Sequence, residues 1–357
     1  MIEFRDVGKR FADGTQALRD LSLTAREGEI TVLVGPSGCG KTTSMRMVNR
    51  MIDPTSGQVL LDGADVADAD PPQLRRGIGY VIQNAGLFPH RRVIDNVATV
   101  PVLQGLPRRE ARARAAEVLE RVGLDASLAQ RYPAQLSGGQ QQRVGVARAL
   151  AGDAPVLLMD EPFSAVDPVV RVDLQDELLR LQGDLGKTIL FVTHDIDEAI
   201  RLGDKVAVMR VGGVLAQFAP PGELLADPAD DFVAGFVGRD RGYRRLGFVP
   251  AGEISLSEVP TAPASTAGAD GTGEWTLLLT DDGKPRSWAA PDGTRHDPGA
   301  LHVIGGDPAL TGSLRGALDA ALSSPSGHGV AVDGDGKFLG GVEADAVLTL
   351  LTGDPAR

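Results

Sequence analysis

The sequence contains a single cysteine, Cys39, among its 357 residues. One cysteine excludes an intramolecular disulfide, so the chain is not one of the small secreted folds that disulfides stabilise. No apolar run approaches the roughly 18 residues of a membrane-spanning helix. Residues 1–6 have neither the basic head nor the apolar stretch of a signal peptide. These absences predict a protein of the reducing cytosol.

An excess of positive charge is also lacking. The net charge is -12, and residues 246–357 hold 6 Lys and Arg against 15 Asp and Glu. That stretch carries -9 of the total, whereas residues 1–245 are nearly balanced. Acidic surfaces repel phosphate backbones and anionic lipid headgroups. We therefore expect no nucleic acid among the partners of this chain.

Short apolar runs alternate with helical periodicity through the first 210 residues. Strands buried on both faces of a parallel sheet read as continuous apolar runs. The runs that we interpret in this way are residues 30–34, 78–82, 156–159, 189–192 and 206–209. Helices are predicted between Pro107 and Gly123 and after Pro168. The pattern indicates an α/β domain with a largely parallel sheet, whose ligand lies beyond the carboxyl ends of the strands.

A glycine-rich loop joins the first of these predicted strands to a helix. Its residues are Gly35, Pro36, Ser37, Gly38, Cys39, Gly40, Lys41 and Thr42, followed by Thr43. Glycines let backbone N–H groups form a concave nest, and the helix N-terminus adds partial positive charge, so the loop suits a polyphosphate. Lys41 would reach the β- and γ-phosphates and Thr42 would ligate Mg²⁺. The alternative is a structural glycine-rich turn, and Cys39 is either a small residue in that turn or a reactive thiol.

Two carboxylates, Asp160 and Glu161, follow the predicted strand 156–159. Catalytic groups commonly sit where a strand of such a sheet ends. We expect Asp160 to hold Mg²⁺, through water, and Glu161 to polarise the attacking water, because a carboxylate free of the metal can accept its proton. For an isolated Asp-Glu pair the alternative is a helix cap.

A third motif follows Leu136 and lies about twenty residues before that pair: Ser137, Gly138, Gly139 and Gln140. It matches the signature sequence of ABC-type ATPases. The other motifs of that family occur in the family's order, with Gln83 after residues 80–82, then Ser164 to Asp167, then His194 between Thr193 and Asp195. The chain therefore resembles ABC-type ATPases continuously from residue 1 to about residue 240.

The resemblance implies ATP and Mg²⁺ as cofactors and a homodimer with two composite ATP sites. Ser137, Gly138, Gly139 and Gln140 would face the γ-phosphate of ATP that is held by the phosphate loop of a second subunit. His194 would orient the water and the γ-phosphate, Gln83 would touch Mg²⁺ and signal to a partner, and Asp167 would act across the dimer interface. Phe11 would stack on adenine, with packing in the core as its alternative.

Three segments resemble the ATPases of glycine betaine, carnitine and choline importers: residues 47–57, 82–90 and 191–200. Asn49, Arg50 and residues 86–90 carry most of that likeness. It implies an ATPase that energises import of a quaternary-ammonium osmoprotectant through a separate membrane permease, fed by an extracytoplasmic binding protein. Phe88 and Pro89 would contact the permease or simply pack. The chain would then be cytoplasmic and peripheral on the inner face of the membrane. The alternatives are another imported substrate, such as an amino acid, polyamine or anion, or a non-transport ABC switch.

The predicted domains are an ATPase of residues 1–240, with a helical subdomain at about 85–155, a connector of 241–274, and a small α+β module of 275–357. Residues 259–273 are rich in Pro, Ala, Ser, Thr and Gly, which predicts a linker. Residues 313–322, 329–333 and 336–342 weakly resemble a CBS domain. Glu343 and Ala346 stand where that family often places a nucleotide-binding Thr or Ser and an Asp, which argues against adenosine binding. The module would be regulatory or would serve dimerisation.

Overall fold

The computed structural model describes residues 1–83, 85–164, 166–251, 254–265, 274–299, 301–304 and 312–352. Asn84, Ala165 and residues 252–253 and 266–273, which belong to the predicted motifs and connector, lie outside these residues, as do 300, 305–311 and 353–357 of the predicted module. The chain divides into two compact units, Met1–Gly238 and Arg239–Arg357.

The first unit contains two sheets and the helices that cover them. Its strands are β1 (Ile2–Arg10), β2 (Gln16–Ala25), β3 (Ile30–Val34), β4 (Ser56–Leu61), β5 (Ala64–Asp65), β6 (Ile78–Val81), β7 (Val156–Asp160), β8 (Thr188–Thr193), β9 (Lys205–Arg210) and β10 (Val214–Ala219). Its helices are α1 (Lys41–Val48), α2 (Pro71–Arg76), α3 (Val93–Val97), α4 (Thr99–Leu103), α5 (Arg108–Arg121), α6 (Gly138–Ala151), α7 (Pro168–Leu185), α8 (Ile196–Leu202), α9 (Pro221–Ala226) and α10 (Asp231–Val237). Short 3₁₀ helices span Val66–Asp68, Ala126–Gln130 and Pro133–Gln135.

The larger sheet has the strand order β10-β9-β3-β8-β7-β6. The pairs β9–β3, β3–β8, β8–β7 and β7–β6 are parallel, and β10 is antiparallel at one edge. The five predicted strands are confirmed as these five parallel neighbours. Their apolar runs are continuous because alternate residues enter two cores, with Leu33 and Leu158 on one face and Val32 and Leu157 on the other.

The second sheet of this unit, with the order β2-β1-β4-β5, is antiparallel and was missed by the sequence analysis. One of its faces joins the first core through residues such as Ile2, Phe4 and Val59. Its register shifts between Phe4 and Val7 against β2, so strict alternation of apolar and polar residues is interrupted. A bulged, half-exposed strand gives a weaker sequence signal than a buried parallel one.

Helices α3 to α6 pack around a core of their own, which contains Val97, Ala115, Leu119 and Val144. The predicted helix after Pro107 is confirmed as α5, and Gly123 follows it at φ 66, a conformation that glycine adopts without strain. The predicted helix after Asp167 is confirmed as α7, whose Leu174, Leu178 and Leu181 are buried at helical spacing.

The second unit is built on two small sheets. Its elements are α11 (Arg241–Arg245), a 3₁₀ helix at Leu246–Phe248, β11 (Thr261–Pro263), β12 (Thr276–Leu279), β13 (Pro285–Ala289), β14 (Arg295–His296), β15 (Leu301–Val303), α12 (Leu314–Ser323), β16 (His328–Val332), β17 (Phe338–Glu343) and α13 (Ala344–Thr352). The sheet orders are β11-β12-β13-β14 and β15-β16-β17. One core surrounds Leu314 and Val342, and a second surrounds Leu277, Trp288 and Val330.

The stretch interpreted as a connector differs from that expectation. Leu246, Ala251 and Ile254 are buried in a core of the second unit. Thr261–Pro263 form an edge strand parallel to β12, where Pro263 is tolerated because an edge strand needs fewer ladder hydrogen bonds. The described residues of the stretch are thus folded with the second unit. Scattered apolar residues among prolines and small residues are enough to join a core that later strands provide.

Both tryptophans of the chain, Trp275 and Trp288, lie in the second unit, so their fluorescence reports unfolding of that unit. Leu277 is fully buried beside Trp288 on the neighbouring strand. We expect Leu277→Ala to lower the stability of this unit by about 2–5 kcal/mol, because it leaves a cavity in the core. The urea midpoint of tryptophan fluorescence should fall accordingly. Leu348→Ala, at an exposed position of α13, is the matched control, and equal midpoints for the two variants would contradict this packing.

Candidate functional site

The parallel order β3-β8-β7-β6 places the ends of four neighbouring strands at one edge of the sheet. Lys41 follows β3, His194 follows β8, Glu161 follows β7 and Gln83 follows β6. Residues that succeed adjacent parallel strands come together at the carboxyl edge. The sheet therefore gathers motifs that are more than 150 residues apart in the sequence.

Glycines shape the phosphate loop where the chain passes close to other backbone segments. Gly35 has φ 153, and a Cβ there would lie 2.2 Å from the carbonyl oxygen of Met209. Gly40 has φ 97, and a Cβ there would lie 2.4 Å from the carbonyl oxygen of Ala17. Cys39 is fully buried in the same turn. Reactive thiols lie in partly exposed positions, so its burial favours the interpretation of Cys39 as a small packing residue.

Lys41 begins α1, and its ammonium group folds back on the loop. Lys41 Nζ donates to the carbonyl oxygens of Gly35 at 2.7 Å and of Pro36 at 3.1 Å. Gly40 precedes the helix without a capping side chain, so no side chain of the cap occupies the first-turn N–H donors. The loop thus presents backbone donors, a helix N-terminus and a lysine together, which is the chemistry of a polyphosphate site.

Thr42 and Asp160 connect the loop to β7. The Thr42 hydroxyl donates to Asp160 Oδ1 at 3.0 Å, and Asp160 is buried. Burial raises the pKa of the Asp160 carboxyl, while the hydrogen bond from Thr42 and the charges of Arg46 and Lys41 act in the opposite direction. No cluster of three or more His, Cys, Asp or Glu side chains able to hold a metal occurs in the described part of the chain. A hydroxyl and a carboxylate nonetheless suit Mg²⁺, which keeps several waters and uses phosphate oxygens as further ligands.

Glu161 has a left-handed backbone, with φ 46. Its N–H donates to the carbonyl oxygen of Val192 at 2.9 Å, and the Ser164 hydroxyl donates to its carbonyl oxygen at 3.0 Å. Such a conformation is uncommon for a residue other than glycine and concentrates at functional sites, where surrounding bonds hold it. Strand β7 therefore ends at Asp160, while the backbone of Glu161 stays bonded to the neighbouring strand β8.

The side chains of Gln83, Glu161 and His194 meet at one carboxylate oxygen. Glu161 Oε2 accepts a hydrogen bond from Gln83 Nε2 at 3.2 Å and lies 3.1 Å from His194 Nδ1. The His194 side chain is 56% exposed, so it remains accessible to a ligand. The structure thus brings together Gln83, Glu161 and His194, for which the sequence predicted roles at Mg²⁺, the attacking water and the γ-phosphate.

The residues that support His194 were not predicted from the sequence. The Thr193 hydroxyl donates to Glu198 Oε2 at 2.6 Å, and Glu198 is 4% exposed. Burial raises the pKa of the Glu198 carboxyl. Arg171 reaches Asp195 Oδ2 at 3.5 Å and the carbonyl oxygen of Val166 at 3.4 Å, so it joins the neighbours of His194 and of Asp167. A signal existed in the sequence, because Asp195 is followed three residues later by Glu198, the spacing of a helix N-cap and its third helical residue.

Ser137 caps α6 with a reciprocal pair of hydrogen bonds. Gln140 N–H donates to Ser137 Oγ at 3.3 Å, and Ser137 N–H donates to Gln140 Oε1 at 3.0 Å. The Gln140 side chain therefore serves the cap, while the Ser137 hydroxyl keeps its proton for another acceptor. A Cβ on Gly139 would lie 2.9 Å from Val170 Cγ1. Glycine thus lets α6 start close to the first turn of α7.

Phe11 follows β1 and is 39% exposed, with Lys9 Nζ 5.5 Å from its ring centroid. This exposure removes core packing as its alternative and leaves the ring available for stacking. Asp167 is exposed immediately before α7, and its carbonyl oxygen accepts the N–H of Arg171 at 2.8 Å. Among the described residues, none of the helices combines the length and the apolarity required to cross a bilayer.

The chain is similar to known proteins over both of its units. The family described as ABC transporter matches residues 18–164. The osmoprotectant import ATP-binding protein OsmV of Salmonella typhimurium is 41% identical, with 100% of this chain and 98% of that protein covered. The choline transport ATP-binding protein OpuBA of Bacillus subtilis is 47% identical over 68% of this chain and 63% of that protein. Among solved structures, the dimeric bacterial ABC transporter cassette MJ0796 matches with a TM-score of 0.57 and 35% identity, over 62% of this chain and 99% of that one.

Lys41→Ala should weaken ATP binding roughly 10- to 100-fold, because a charge-assisted contact to phosphate is lost. Titration with a fluorescent ATP analogue measures this affinity. Lys187→Ala is the control, since Lys187 pairs with the exposed Asp153 at 2.9 Å, outside the phosphate loop. Equal affinities for wild type and Lys41→Ala would show that Lys41 does not hold the phosphates.

Proposed function

This chain belongs to the ABC transporter ATP-binding family, and from that premise we propose that it hydrolyses ATP to drive import of quaternary-ammonium osmoprotectants. Glycine betaine, carnitine, choline and proline betaine form this substrate class. The identity to OsmV supports the class most strongly, because it extends over the second unit as well as the first. OpuBA and the glycine betaine uptake ATP-binding protein YehX of Escherichia coli, which is 50% identical over 69% of this chain, point to the same chemistry.

We propose that the phosphate loop and Lys41 bind the ATP phosphates while Phe11 stacks on adenine. Thr42, Asp160 and Gln83 offer a hydroxyl, a carboxylate and an amide oxygen that fit Mg²⁺, whose charge would offset that of the transferred phosphoryl group. Thr42 and Asp160 are already in contact with each other, so their oxygen atoms would be available together to hold the ion. This assignment rests on the donor chemistry of the side chains.

Glu161 would accept the proton of the attacking water, because its carboxylate lies at the centre of the polar cluster. The hydrogen bond from Gln83 and the proximity of His194 would hold that carboxylate in one orientation. His194, being exposed, could then also reach the water or the γ-phosphate. The meeting of these three groups at Glu161 Oε2 is the observation that carries ATP hydrolysis.

We propose that the functional form is a homodimer with two composite sites. The Ser137 hydroxyl and the first N–H groups of α6, a helix of 14 residues, are arranged as an anion-binding end. In the composite site they would face the γ-phosphate bound by the loop of the partner, and Asp167 would lie at the interface. The similarity to a dimeric cassette supports this arrangement.

The permease would contact the region around Phe88 and Pro89, both of which are exposed. Arg91 lies 5.0 Å from the Phe88 ring centroid, and Val102 and Leu103 are exposed nearby, on the rim of one cavity with Arg91. A mixed apolar and basic surface suits a cytoplasmic helix of a membrane protein. The chain would then be a cytoplasmic protein held at the inner face of the membrane through the permease. An extracytoplasmic binding protein would deliver the substrate to that permease.

We propose that residues 1–240 form the ATPase domain, with its helical subdomain at about 85–155. The second unit would be a degenerate CBS-like module with a regulatory or dimerisation role. Its acidic composition and the presence of Glu343 and Ala346 argue against nucleotide binding in this module. We therefore favour regulation or dimerisation without a bound nucleotide as the role of this module.

Glu161→Gln should leave ATP affinity within about twofold of wild type and lower turnover roughly 100- to 10,000-fold, because an amide cannot accept the proton. The variant should also accumulate as an ATP-bound dimer. Phosphate release and size-exclusion chromatography with ATP measure the two effects. Glu177→Gln, on the surface of α7, is the control. Unchanged turnover in Glu161→Gln would remove Glu161 as the base.

Cells that lack this chain should lose uptake of labelled betaine or choline, most clearly at high osmolarity. Uptake should return with the wild-type chain and fail to return with Glu161→Gln. Labelled proline, an amino acid, a polyamine and an inorganic anion serve as competing substrates in the same assay. Restored uptake of one of these, without betaine or choline, would assign the importer to another substrate class.

A further inference from the structure

Arg148 lies about three turns into α6 and binds the segment that follows Gln83. Its Nη1 donates to the carbonyl oxygen of Gly86 and its Nη2 to that of Ala85, each at 2.7 Å. Burial lowers the pKa of the Arg148 guanidinium. Arg148 is half-buried and uses both arms of its guanidinium on backbone carbonyls. A planar fork of this kind holds two acceptors in fixed directions.

The segment bound by Arg148 has an unusual backbone. Ala85 and Gly86 are both left-handed, with φ 54 and φ 52, and Ala85 is buried. Ala85 packs on α6 so closely that a Cβ on Gly145 would lie 3.3 Å from Ala85 Cβ. Glycine adopts this conformation without strain, but Ala85 needs surrounding bonds to hold it there. Arg148 supplies a bond to each of the two carbonyls.

The same segment is held at both of its ends. On one side, Gln83 donates to Glu161. On the other, Phe88 N–H donates to Asn96 Oδ1 at 2.7 Å, and Asn96 is fully buried. Between these ends, the bonds of Arg148 join the segment to the helix that starts at the Ser137 cap. Arg148 therefore lies where the catalytic glutamate, the exposed Phe88 and the signature helix can be linked.

We propose that Arg148 is a positioning residue that keeps residues 85–88 and α6 moving as one body, so that contact at Phe88 is transmitted to Ser137. The proposal rests on the proposed function, because it takes the permease as the partner that touches Phe88. Bidentate binding is essential to it. A single hydrogen bond allows rotation between the segment and the helix, whereas two parallel bonds to successive carbonyls do not.

Arg143 provides a matched control on the same helix. Its Nη1 donates to the carbonyl oxygen of Val122 at 3.1 Å and lies 3.4 Å from that of Gly123. Arg143 is thus also an arginine of α6 bound to backbone carbonyls and partly buried. It joins α6 to the end of α5, however, and not to the segment after Gln83. Arg143→Lys makes the same chemical change without touching the proposed link.

The first test uses the complete transporter in lipid vesicles, with basal ATPase compared with ATPase stimulated by binding protein and betaine. Arg148→Lys keeps the charge but not the fork, and should lower the stimulated rate about 10-fold. Its basal rate and ATP affinity should stay within about twofold of wild type. Full stimulation in Arg148→Lys would overturn the proposal. An equal loss in Arg143→Lys, or a parallel loss of basal rate and ATP affinity, would also overturn it by showing a general structural role.

A second test needs no permease and separates this proposal from the proposed function. Hydrogen exchange is measured on the isolated Glu161→Gln chain with and without ATP. With Arg148 intact, ATP should slow exchange at residues 85–88 together with residues 137–140. Arg148→Lys should abolish the change at 85–88 alone, and Arg143→Lys should abolish neither. Retention of both changes in Arg148→Lys would overturn the link, even in a transporter that betaine fails to stimulate. Arg148→Met, which fills the same space without charge, replaces Arg148→Lys should that variant not fold.

Discussion

The hydrogen bond between Gln83 and Glu161 joins two strands of the sheet at the point where both end. It can form because β6 and β7 are parallel neighbours, and β8 on the other side of β7 places His194 against the same carboxylate oxygen. A change in strand order would separate these groups by at least one strand spacing, about 4.8 Å. The polar cluster of Gln83, Glu161 and His194 therefore depends on the sheet topology more than on any single contact within it.

The two bonded groups around Glu161 are themselves supported by arginines from different helices. On the Gln83 side, Arg148 of α6 holds Ala85 and Gly86. On the His194 side, Arg171 of α7 reaches Asp195 and the backbone next to Asp167. Guanidinium groups suit this task because their planar fork can bind two acceptors in fixed directions. The Glu161 carboxylate thus lies between two arginine-held segments. One leads to the exposed Phe88 and the other to Asp167.

Local sequence patterns predicted most of the parallel sheet and of the cluster, and physical reasons separate these successes from the omissions. Residues 30–34 and 156–159 are buried on both faces of the sheet, so each is a continuous apolar run that is easy to recognise as a strand. The phosphate loop is recognisable because its residues are consecutive in the sequence. The bulged strand β1 dilutes its alternation, and Leu246 and Ile254 lie among residues typical of linkers. The bond from Arg148 to Gly86 spans 62 residues and ends on a backbone oxygen, which no side-chain motif records. The Ser137–Gln140 cap, by contrast, was readable as a Ser-x-x-Gln pattern.

That cap bears on the proposed composite site, in which one chain would hold only half of the ATP contacts. Gln140 satisfies the Ser137 N–H from within the chain, so the start of α6 is ordered before any ligand arrives. The Ser137 hydroxyl proton and the N–H groups of Gly138 and Gly139 then remain directed to an acceptor outside the cap. A preformed donor set costs less to bring onto phosphate than one that must be ordered on binding. In the proposed dimer, closure would therefore depend on the direction of α6. The proposed link through Arg148 would connect that direction to residues 85–88, which end at the exposed Phe88.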